Sequence, residues 1–312
     1  MSERVQPLED RNSARVFNEQ RDLLISIAYR ILGSVTDADD TVQEAWLRWS
    51  KVDLAEVSNP RAFLVRVTTR LAIDGLRRAK TRRESYAGPW LPEPILTDRD
   101  VAEGVALAES VSMAMLVVLE TLSPLERAVF VLREAFGMPY AEIGDVIGRK
   151  EEAVRQLARR ARDHVQERRS RFEADRTEQH LVTKRFLEAA SNGDLEALMG
   201  VLAPGVTLVA DGGGRALAPR RPVRGAEKVA RFLLAVATEE KSARFLESIG
   251  VEPGPDLRIH PAQVNGGPGV VIASDDRPIT ALVLDVNDGA VQTIHLVANP
   301  EKLAGVRGIE AS

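Results

Sequence analysis

The stretch from Leu122 to Arg169 constrains the fold of this 312-residue chain more than any other, because it predicts three helices separated by glycines. A hydroxyl N-cap at Ser123, followed by Pro124, is typical of a helix start. Gly137 and Gly148 are placed to end the first and second helices. A short helix, a glycine turn and a longer helix together indicate a helix-turn-helix unit.

The third of these helices, predicted to begin at Lys150, has an apolar stripe and a charged flank. The stripe consists of Val154, Leu157, Ala158, Ala161 and Val165. The polar positions beside it are Lys150, Glu152, Arg155, Gln156, Arg159 and Arg162. Arginine and glutamine can make bidentate hydrogen bonds to base edges, and arginine neutralises phosphates. We therefore expect this flank to face the major groove of DNA; the alternative is a solvated basic face on an ordinary helix.

The string LSPLERAVFVLREAFGMPYAEIGDVIG resembles region four of the sigma-70 family. In that family this module binds the upstream, minus-thirty-five promoter element. The resemblance covers the whole three-helix unit, which we place at residues 111–171. The corner from Arg149 to Glu152 is more charged than the small and hydroxyl residues usual there, so the promoter sequence does not carry over.

Length and composition limit the possible classes of protein. A chain of 312 residues is long enough for two or three domains. The absence of cysteine excludes disulfides and thiolate metal sites, and it fits a reducing cytoplasm. The longest apolar run, from Met113 to Leu119, is too short to cross a bilayer. We therefore expect a cytoplasmic protein with no membrane segment, bound metal or cofactor.

The region before residue 84 is predicted to be all helical. One helix runs from about Arg15 to Leu32 and stops at Gly33. Thr36 is predicted to cap the next helix. Asn59 and Pro60 begin a third helix, which ends in a basic cluster.

Two surfaces of this helical region carry candidate binding residues. The second helix directs Asp39, Asp40, Gln43 and Glu44 outward, which suits a basic protein partner, although acidic residues in a first turn can simply complement the helix dipole. The third helix carries Arg66, Thr69, Arg70, Arg77 and Arg78. Arginine both neutralises phosphate and stacks on bases, so this set suits a single DNA strand.

The strings DADDTVQEAWLRW and NPRAFLVRVTTRLAIDGLRR resemble region two of extracytoplasmic-function sigma factors. The resemblance implies that the acidic helix binds the clamp helices of the beta-prime subunit of core RNA polymerase. It also implies that the later helix binds the melted minus-ten element. We place this region at residues 15–83, and we expect core polymerase, including its beta subunit, and promoter DNA as partners.

The segment from 84 to 110 is predicted to be a linker, because Pro89, Pro92 and Pro94 remove backbone donors that a helix would need. Trp90 and Leu91 are costly to leave in water, so we expect them to pack on a domain rather than to form part of a stiff spacer. The string WLPEP resembles the linker of the sigma factor subgroup that carries a C-terminal SnoaL-like domain.

Residues 178–303 are predicted to form an α+β domain with helices first and a curved sheet afterwards. Asp194 is placed to cap a helix, and residues 206–209 form a strand. Further strands are predicted at 269–274, 279–286 and 290–298. This order resembles the SnoaL-like, nuclear-transport-factor-2-like cone, as do the strings DGGG and NPEKL. The resemblance implies interdomain regulatory contacts by Trp90, Leu91, Pro92, Asp211, Gly212, Gly213, Gly214, Asn299, Pro300, Lys302 and Leu303.

A cone of this class could also be an enzyme or bind an unidentified small ligand. Asp211, Asp285 and His295 are the candidates for acid–base catalysis. We expect instead that Asp211 forms a turn with its glycines, that Asp285 is a surface residue, and that His295 is a hydrogen-bonded strand histidine. The chain is therefore predicted not to be an enzyme.

The sequence as a whole predicts a multidomain protein with two all-α domains and a C-terminal α+β SnoaL-like cone. We interpret it as an RNA polymerase sigma factor that directs promoter-specific transcription initiation and is regulated in cis by its C-terminal domain. Two alternatives remain: a ligand-sensing helix-turn-helix activator, and a small-molecule enzyme of the SnoaL-like class with accessory helices.

Overall fold

A computed structural model of the chain describes residues 8–97, 112–168, 176–252, 257–275 and 277–306. The chain divides into two compact units. Unit 1 contains residues 1–82 and 118–168, and unit 2 contains residues 83–117 and 169–312. Parts of the predicted domain boundaries, at 98–111 and 169–171, lie outside the described residues. Unit 1 is helical and unit 2 is α+β, so the predicted fold class is confirmed.

The helices of unit 1 follow the predicted order, with corrected starts. Their bounds are Leu8–Leu32 (α1), Val35–Trp49 (α2), Pro60–Glu84 (α3), Met113–Leu119 (α4), Pro124–Phe130 (α5), Tyr140–Ile147 (α6) and Glu151–Arg168 (α7); α3 and α4 each cross the boundary between the units. The N-cap of α2 is Ser34, whose hydroxyl accepts from the Asp37 N–H, and not Thr36 as predicted. Helix α1 begins before Arg15 and ends where Gly33 adopts a φ of 71°.

The helix-turn-helix prediction is confirmed, although α7 begins at Glu151 and not at Lys150. Ser123 and Glu126 form the capping box of α5, which continues as a π-helical turn over Val131–Ala135. Gly137 (φ 64°) and Gly148 (φ 68°) adopt the left-handed conformation that side chains disfavour. The predicted stripe of α7 is buried at Val154, Ala158, Ala161 and Val165, whereas Leu157 is half-buried.

Unit 2 contains a six-stranded sheet among its described residues. Its strands are Leu202–Asp211 (β1), Val223–Arg224 (β2), Leu257–Val264 (β3), Gly267–Ser274 (β4), Arg277–Asn287 (β5) and Ala290–Val297 (β6), and their order in the sheet is β2-β1-β6-β5-β4-β3. β1 and β6 pair in parallel, whereas the other neighbours are antiparallel. The strand β3, at the edge of the sheet, was not predicted, because Pro261 interrupts its sequence pattern.

Helices cover one face of this sheet. They are Arg176–Ser191 (α8), Leu195–Val201 (α9), Ala226–Val236 (α10) and Glu239–Ser248 (α11), and a last short helix, Pro300–Leu303 (α12), follows β6. Asp194 caps α9 as predicted, since its side chain accepts from the Ala197 N–H at 2.9 Å. The larger apolar core lies between these helices and the sheet and includes Phe186, Leu198 and Ile294.

The linker packs on unit 2. Leu91 is 1% exposed and belongs to a second apolar cluster with Met113, Val283, Val297 and Leu303. Further along, the linker adds a short pairing to the sheet edge through an antiparallel bridge between residues 96 and 264. The expectation that Trp90 and Leu91 pack on a domain is therefore confirmed for Leu91, and Trp90 is half-buried beside it.

Candidate functional site

The outward flank of α7 is the first candidate site; we call it the recognition flank. It consists of Lys150, Glu152, Arg155, Gln156 and Arg159, and all five are exposed. The side chain of Arg159 is 85% exposed and lies 3.8 Å from the Asp163 carboxylate. Because the apolar stripe faces the unit core, this flank is free for a partner.

Two arginines of α7 differ from the prediction. Arg162 is half-buried, and its guanidinium donates to Glu134 at 2.8 Å and to the Tyr140 hydroxyl at 2.6 Å. Arg160 was not predicted, yet its side chain is 65% exposed. The sequence pattern assigned Arg160 neither to the core nor to the recognition flank. Its exposure follows only from the orientation of α7 in the structure.

Helix α2 carries the predicted acidic face. Asp40, Gln43 and Glu44 are exposed, and Asp39 is half-buried. Asp39 pairs with Arg21 at 3.0 Å and accepts from Gln43 at 3.2 Å. Glu44 pairs with Arg48, four positions along the helix, at 3.1 Å. The predicted residues therefore form one contiguous polar surface.

The structure does not bring the predicted residues of α3 together as one exposed surface. Arg77 and Arg78 are exposed, and Arg77 pairs with Asp74 at 2.9 Å. Arg66 is half-buried over the ring of Phe63. Thr69 is fully buried, because that side of α3 packs inward, and its hydroxyl is therefore not on the surface.

Within unit 1, arginines link the two helical regions through helix ends. Arg70 on α3 donates to the backbone carbonyls of Val146 at 2.7 Å and Asp145 at 3.2 Å, in the last turn of α6. In the opposite direction, from the second helical region to the first, the buried Arg127 on α5 donates to the carbonyl of Arg30 at 3.1 Å, in the last turn of α1. Carbonyls in a last helical turn lack intrahelical partners and carry partial negative charge, so they favour arginine.

Unit 2 holds a buried polar group that we call the Asp211 cluster: Asp211, Tyr86, Leu91, Asn299 and Lys302. Asp211 is 0% exposed and lies at the end of β1. Its carboxylate accepts from the Tyr86 hydroxyl at 2.6 Å, the Leu91 N–H at 2.8 Å and the Lys302 ammonium at 2.7 Å. Asn299 donates to the Tyr86 hydroxyl at 2.9 Å, and Lys302 also donates to the Leu91 carbonyl.

The ammonium of the Asp211 cluster lies beside two aromatic rings, and burial shifts the pKa values of Lys302 and Tyr86. The Lys302 ammonium lies 3.7 Å from the centre of the Trp90 ring and 5.1 Å from that of Tyr86. Burial lowers the pKa of Lys302 to about 8, although the Asp211 carboxylate acts in the opposite direction. Burial, reinforced by the hydrogen bond to Asp211, raises the pKa of the Tyr86 hydroxyl.

The glycines after Asp211 permit these close approaches. A Cβ on Gly213 would collide with the Asn299 side chain, and one on Gly214 would lie 2.9 Å from the Cβ of Ala87. A Cβ on Gly212 would lie 2.6 Å from a backbone carbonyl of the same loop. Pro92 and Leu303 are buried, and Pro300 is half-buried at the start of α12. The structure thus brings together the three strings WLPEP, DGGG and NPEKL within unit 2.

Asp285 and His295 form a pair that the sequence analysis did not identify. His295 Nε2 lies 2.8 Å from Asp285 Oδ2, so the prediction of a surface Asp285 is wrong: it is buried at 9% exposure and His295 at 3%. The prediction of a hydrogen-bonded strand histidine is confirmed. By strand alternation, the pair shares its face with Val283 and Val297 of the second apolar cluster, which contains Leu91 and which we call the linker-side cluster, and it lies away from the helix-covered core.

Among the residues that the structure describes, no helix combines the length and the apolar character that a membrane span requires. No group of three or more potential metal ligands occurs there.

Comparison with known proteins gives matches along the whole chain. A model of sigma-70 region 2 matches residues 16–82, and one of sigma-70 region 4 matches residues 112–165. The chain is 40% identical over 298 residues to the ECF RNA polymerase sigma factor SigJ of Mycobacterium tuberculosis, covering 93% of this chain and 92% of SigJ. It is 33% identical over 291 residues to a probable ECF sigma factor, SigI, of the same species, covering 92% and 93%.

A solved structure is similar over the same length. The crystal structure of SigJ aligns with a TM-score of 0.73 and 35% identity, over 94% of this chain and 99% of that chain. These similarities include the C-terminal domain as well as the two helical regions. The chain therefore belongs to the extracytoplasmic-function (ECF) sigma factors of the sigma-70 family, proteins of promoter-specific transcription initiation, in the subgroup with a C-terminal SnoaL-like domain.

Proposed function

We propose that this sigma factor reads the upstream promoter element with the recognition flank of α7, binds the melted downstream element with arginines of α3, and docks on core polymerase through α2. The observation that carries the proposal is the exposure of Arg155, Gln156 and Arg159 on one side of a helix whose opposite side is buried. An exposed helix face with bidentate donors fits the major groove.

Binding of the downstream element involves an exchange of partners at Arg70. Its guanidinium is bonded to carbonyls at the end of α6, so contact with a DNA strand requires it to leave them. Arg77 and Arg78 are exposed, and Arg77 has to leave only the exposed carboxylate of Asp74 on its own helix. We therefore propose that Arg77 and Arg78 make the first contacts with the strand and that Arg70 joins them once the two helical regions separate.

For core binding, we propose that Asp39, Asp40, Gln43 and Glu44 contact the clamp helices of the beta-prime subunit and that region four contacts the beta subunit. Complementary charge raises association rates and sets orientation. Replacing Asp40 and Glu44 with lysine should slow assembly with core polymerase without unfolding unit 1. The same charge change at Glu240 and Glu247 of α11 is the matched control, and equal association rates for both variants would contradict the proposal.

We also propose that the C-terminal domain regulates initiation in cis. The linker joins region two to region four, and the Asp211 cluster holds its residues Tyr86 and Leu91 on unit 2. Linker residues that are held in this way cannot extend, so they add nothing to the length of chain available between region two and region four. The separation of the two DNA-binding regions then depends on whether the C-terminal tail, through Asn299 and Lys302, keeps the cluster closed.

Run-off transcription with purified core polymerase tests initiation and regulation together. Ending the chain after Ala298 removes α12 and leaves β6 complete, and we expect more transcript if the tail restrains the linker. Ending it near Arg176 removes the domain, and we expect less transcript if the domain also supports promoter binding. Equal transcription by both truncated forms and the full chain would contradict regulation in cis, whereas no transcript from any form would contradict initiation itself.

The run-off assay also separates this proposal from its alternatives. A ligand-sensing activator would not make core polymerase start at a promoter, and a small-molecule enzyme would not require core at all. We propose no catalytic role for Asp285 and His295, because both are buried on the face of the sheet that the linker-side cluster covers. A small ligand in the cone would have to enter on the opposite, helix-covered face.

A further inference from the structure

Tyr140, the first residue of α6, is contacted by arginines from three places in the described part of unit 1. The guanidinium carbon of Arg133 lies 4.6 Å from the centre of its ring, and that of Arg155 lies 5.0 Å away. Arg162 donates to its hydroxyl at 2.6 Å. Two of these arginines belong to α7, so one aromatic residue of the neighbouring helix contacts the recognition helix at two positions.

The hydrogen bond from Arg162 to the Tyr140 hydroxyl connects α7 to α6. Arg162 is half-buried and also donates to Glu134 at 2.8 Å, at the end of the π-helical turn. The hydrogen bonds to Glu134 and Tyr140 raise the pKa of Arg162, which therefore stays charged. With both partners inside unit 1, this arginine adds a polar connection between α7, α6 and the π-helical turn to the packing of the buried stripe, and its guanidinium must leave these partners to contact DNA.

The contact with Arg155 orients a side chain of the recognition flank. The Arg155 side chain is 62% exposed, and its guanidinium lies over the Tyr140 ring while Glu151 accepts its hydrogen bonds. A planar guanidinium can stack on an aromatic ring while its N–H groups bond elsewhere, and the Arg155 N–H groups bond to Glu151. The donors can therefore pass from Glu151 to a base edge while the ring still holds the group in place.

We propose that Tyr140 is a positioning residue for promoter reading, which fixes the rotation of α7 through Arg162 and holds the guanidinium of Arg155 where it meets DNA. The proposal rests on the recognition flank as the upstream promoter contact. Arginine loses considerable rotamer freedom when it binds, so an arginine that is already oriented binds more tightly. At exposed sites a cation–π contact corresponds to about 2- to 5-fold in affinity.

The test uses holoenzyme assembled from core polymerase and the full chain, with promoters selected by the wild type from a pool randomised in the upstream element. Tyr140→Leu should weaken binding by about 10-fold, because it removes both contacts. Tyr140→Phe should cost about 3-fold, since it keeps the ring for Arg155 and loses only the bond from Arg162. Phe136→Leu is the matched control, because its ring contacts Arg30 instead.

The pattern of base preference separates positioning from a merely structural role. Tyr140→Leu should flatten the preference at the same base pair as Arg155→Ala, and the double variant should be no flatter there than Arg155→Ala alone. Two results would overturn the role of Tyr140. One is that Tyr140→Leu weakens binding equally on every promoter sequence, and the other is that Tyr140→Leu leaves the base preference unchanged while Arg155→Ala alters it. If Arg155→Ala itself changes nothing, the recognition flank fails instead, and the two failures are thereby distinguished.

A variant that does not fold leaves the proposal testable. If Tyr140→Leu melts at a much lower temperature than the wild type, Tyr140→Phe is compared with Arg162→Gln. Both remove the hydrogen bond between residues 140 and 162, and Arg162→Gln also removes the bond to Glu134, so the double variant should lose no more promoter affinity than Arg162→Gln alone. Additive losses would overturn the proposed anchoring of α7.

Discussion

The recognition flank and the Asp211 cluster are both groups of charged and polar side chains, but they are assembled in opposite ways. The flank runs from Lys150, just before α7, to Arg159 within that helix, and is exposed. The cluster joins the linker, the end of β1 and the tail after β6, and its carboxylate is fully buried. One site is therefore local in sequence and open to solvent, and the other is long-range and closed.

This difference determines what each site can contribute. Exposed ion pairs add about 0 to 1 kcal/mol to stability, so the flank can exchange its partners for DNA at little cost. A buried charge without its partner costs several kcal/mol, so the cluster is stable only when the linker, the loop and the tail are all in place. The flank is suited to binding, and the cluster is suited to holding one arrangement of the chain.

The largest expected effect is that of Asp211→Ala. The change removes the acceptor for Tyr86, Leu91 and Lys302 and leaves the Lys302 ammonium buried without its carboxylate. We expect the free energy of unfolding of unit 2 to fall by about 3–5 kcal/mol. Urea denaturation of the full chain, followed by hydrogen exchange of the backbone amides of unit 2, measures the loss.

Asp194→Ala is the matched control for this change. Asp194 is also an aspartate of unit 2 that accepts a backbone hydrogen bond, but it is exposed at the N-cap of α9. Its loss should cost about 1 kcal/mol. Equal losses for the two variants would mean that burial does not distinguish the cluster.

Removing both charges of the buried pair is a separate test. The double variant with Asp211→Leu and Lys302→Leu should lose less free energy of unfolding than the sum of the losses from the two single changes.

The next largest effect is expected in binding and not in stability. Arg155→Ala should cost about 1–3 kcal/mol of discrimination at one upstream base pair. Arg231→Ala is the matched control, because Arg231 also forms an exposed ion pair with a glutamate four positions earlier, at 2.8 Å. Holoenzyme binding to single-base variants of the promoter measures both, and a loss spread evenly over all sequences would make Arg155 a phosphate contact.

The local site could be predicted from the sequence because helical periodicity alone orients it. Val154 and Ala158 mark the buried stripe, and Arg155 and Gln156 between them then face outward. The same periodicity placed Arg162 on the flank. It could not show that the guanidinium of Arg162 is bonded to Glu134 and to the Tyr140 hydroxyl. Thr69 was misplaced for a similar reason, because a polar side chain does not reveal that its side of α3 is buried.

The long-range site could be predicted only in part. The resemblance named the strings WLPEP, DGGG and NPEKL, but Tyr86 and Asn299 lie 213 positions apart, and their hydrogen bond follows from no local pattern. The Asp285–His295 pair depends on the register between β5 and β6, which single-strand alternation does not fix. The missed strand β3 contains Pro261, which argues against a strand in the sequence and is tolerated here because β3 lies at an edge of the sheet.

A smaller effect is expected from pH, and it tests the closed state of the cluster. The pKa of Lys302 is lowered to about 8 in the folded protein, against an ordinary value of 10.5, so between these values the unfolded chain binds more protons. Unit 2 should therefore gain stability as the pH rises from 8 to 10, by at most about 1.4 kcal/mol per pH unit, and lose that contribution as the pH falls through 8. The raised pKa of Tyr86 opposes this only above pH 10.

Urea denaturation at pH 7, 8, 9 and 10 measures this dependence, with Lys302→Met as the reference. The variant lacks the titrating amine, so its stability should change less with pH over the same window. Parallel curves for the two proteins would show that Lys302 titrates alike in the folded and unfolded states. The cluster would then be open in solution.

The smallest effect on stability is expected at Arg159, which completes the contrast with Asp211. Its side chain is 85% exposed and only 3.8 Å from Asp163, so Arg159→Ala should change the free energy of unfolding of unit 1 by less than about 0.5 kcal/mol. Its effect should appear in the salt dependence of promoter binding. If Arg159 neutralises a phosphate, the slope of log affinity against log salt should fall by about 0.9, with equal loss on all sequences. Arg244→Ala, an exposed arginine of α11 in unit 2, should leave that slope unchanged. A stable Arg159→Ala protein with an unaltered slope would remove this position from the recognition flank, and a large loss of stability would show that the flank is part of the folded core.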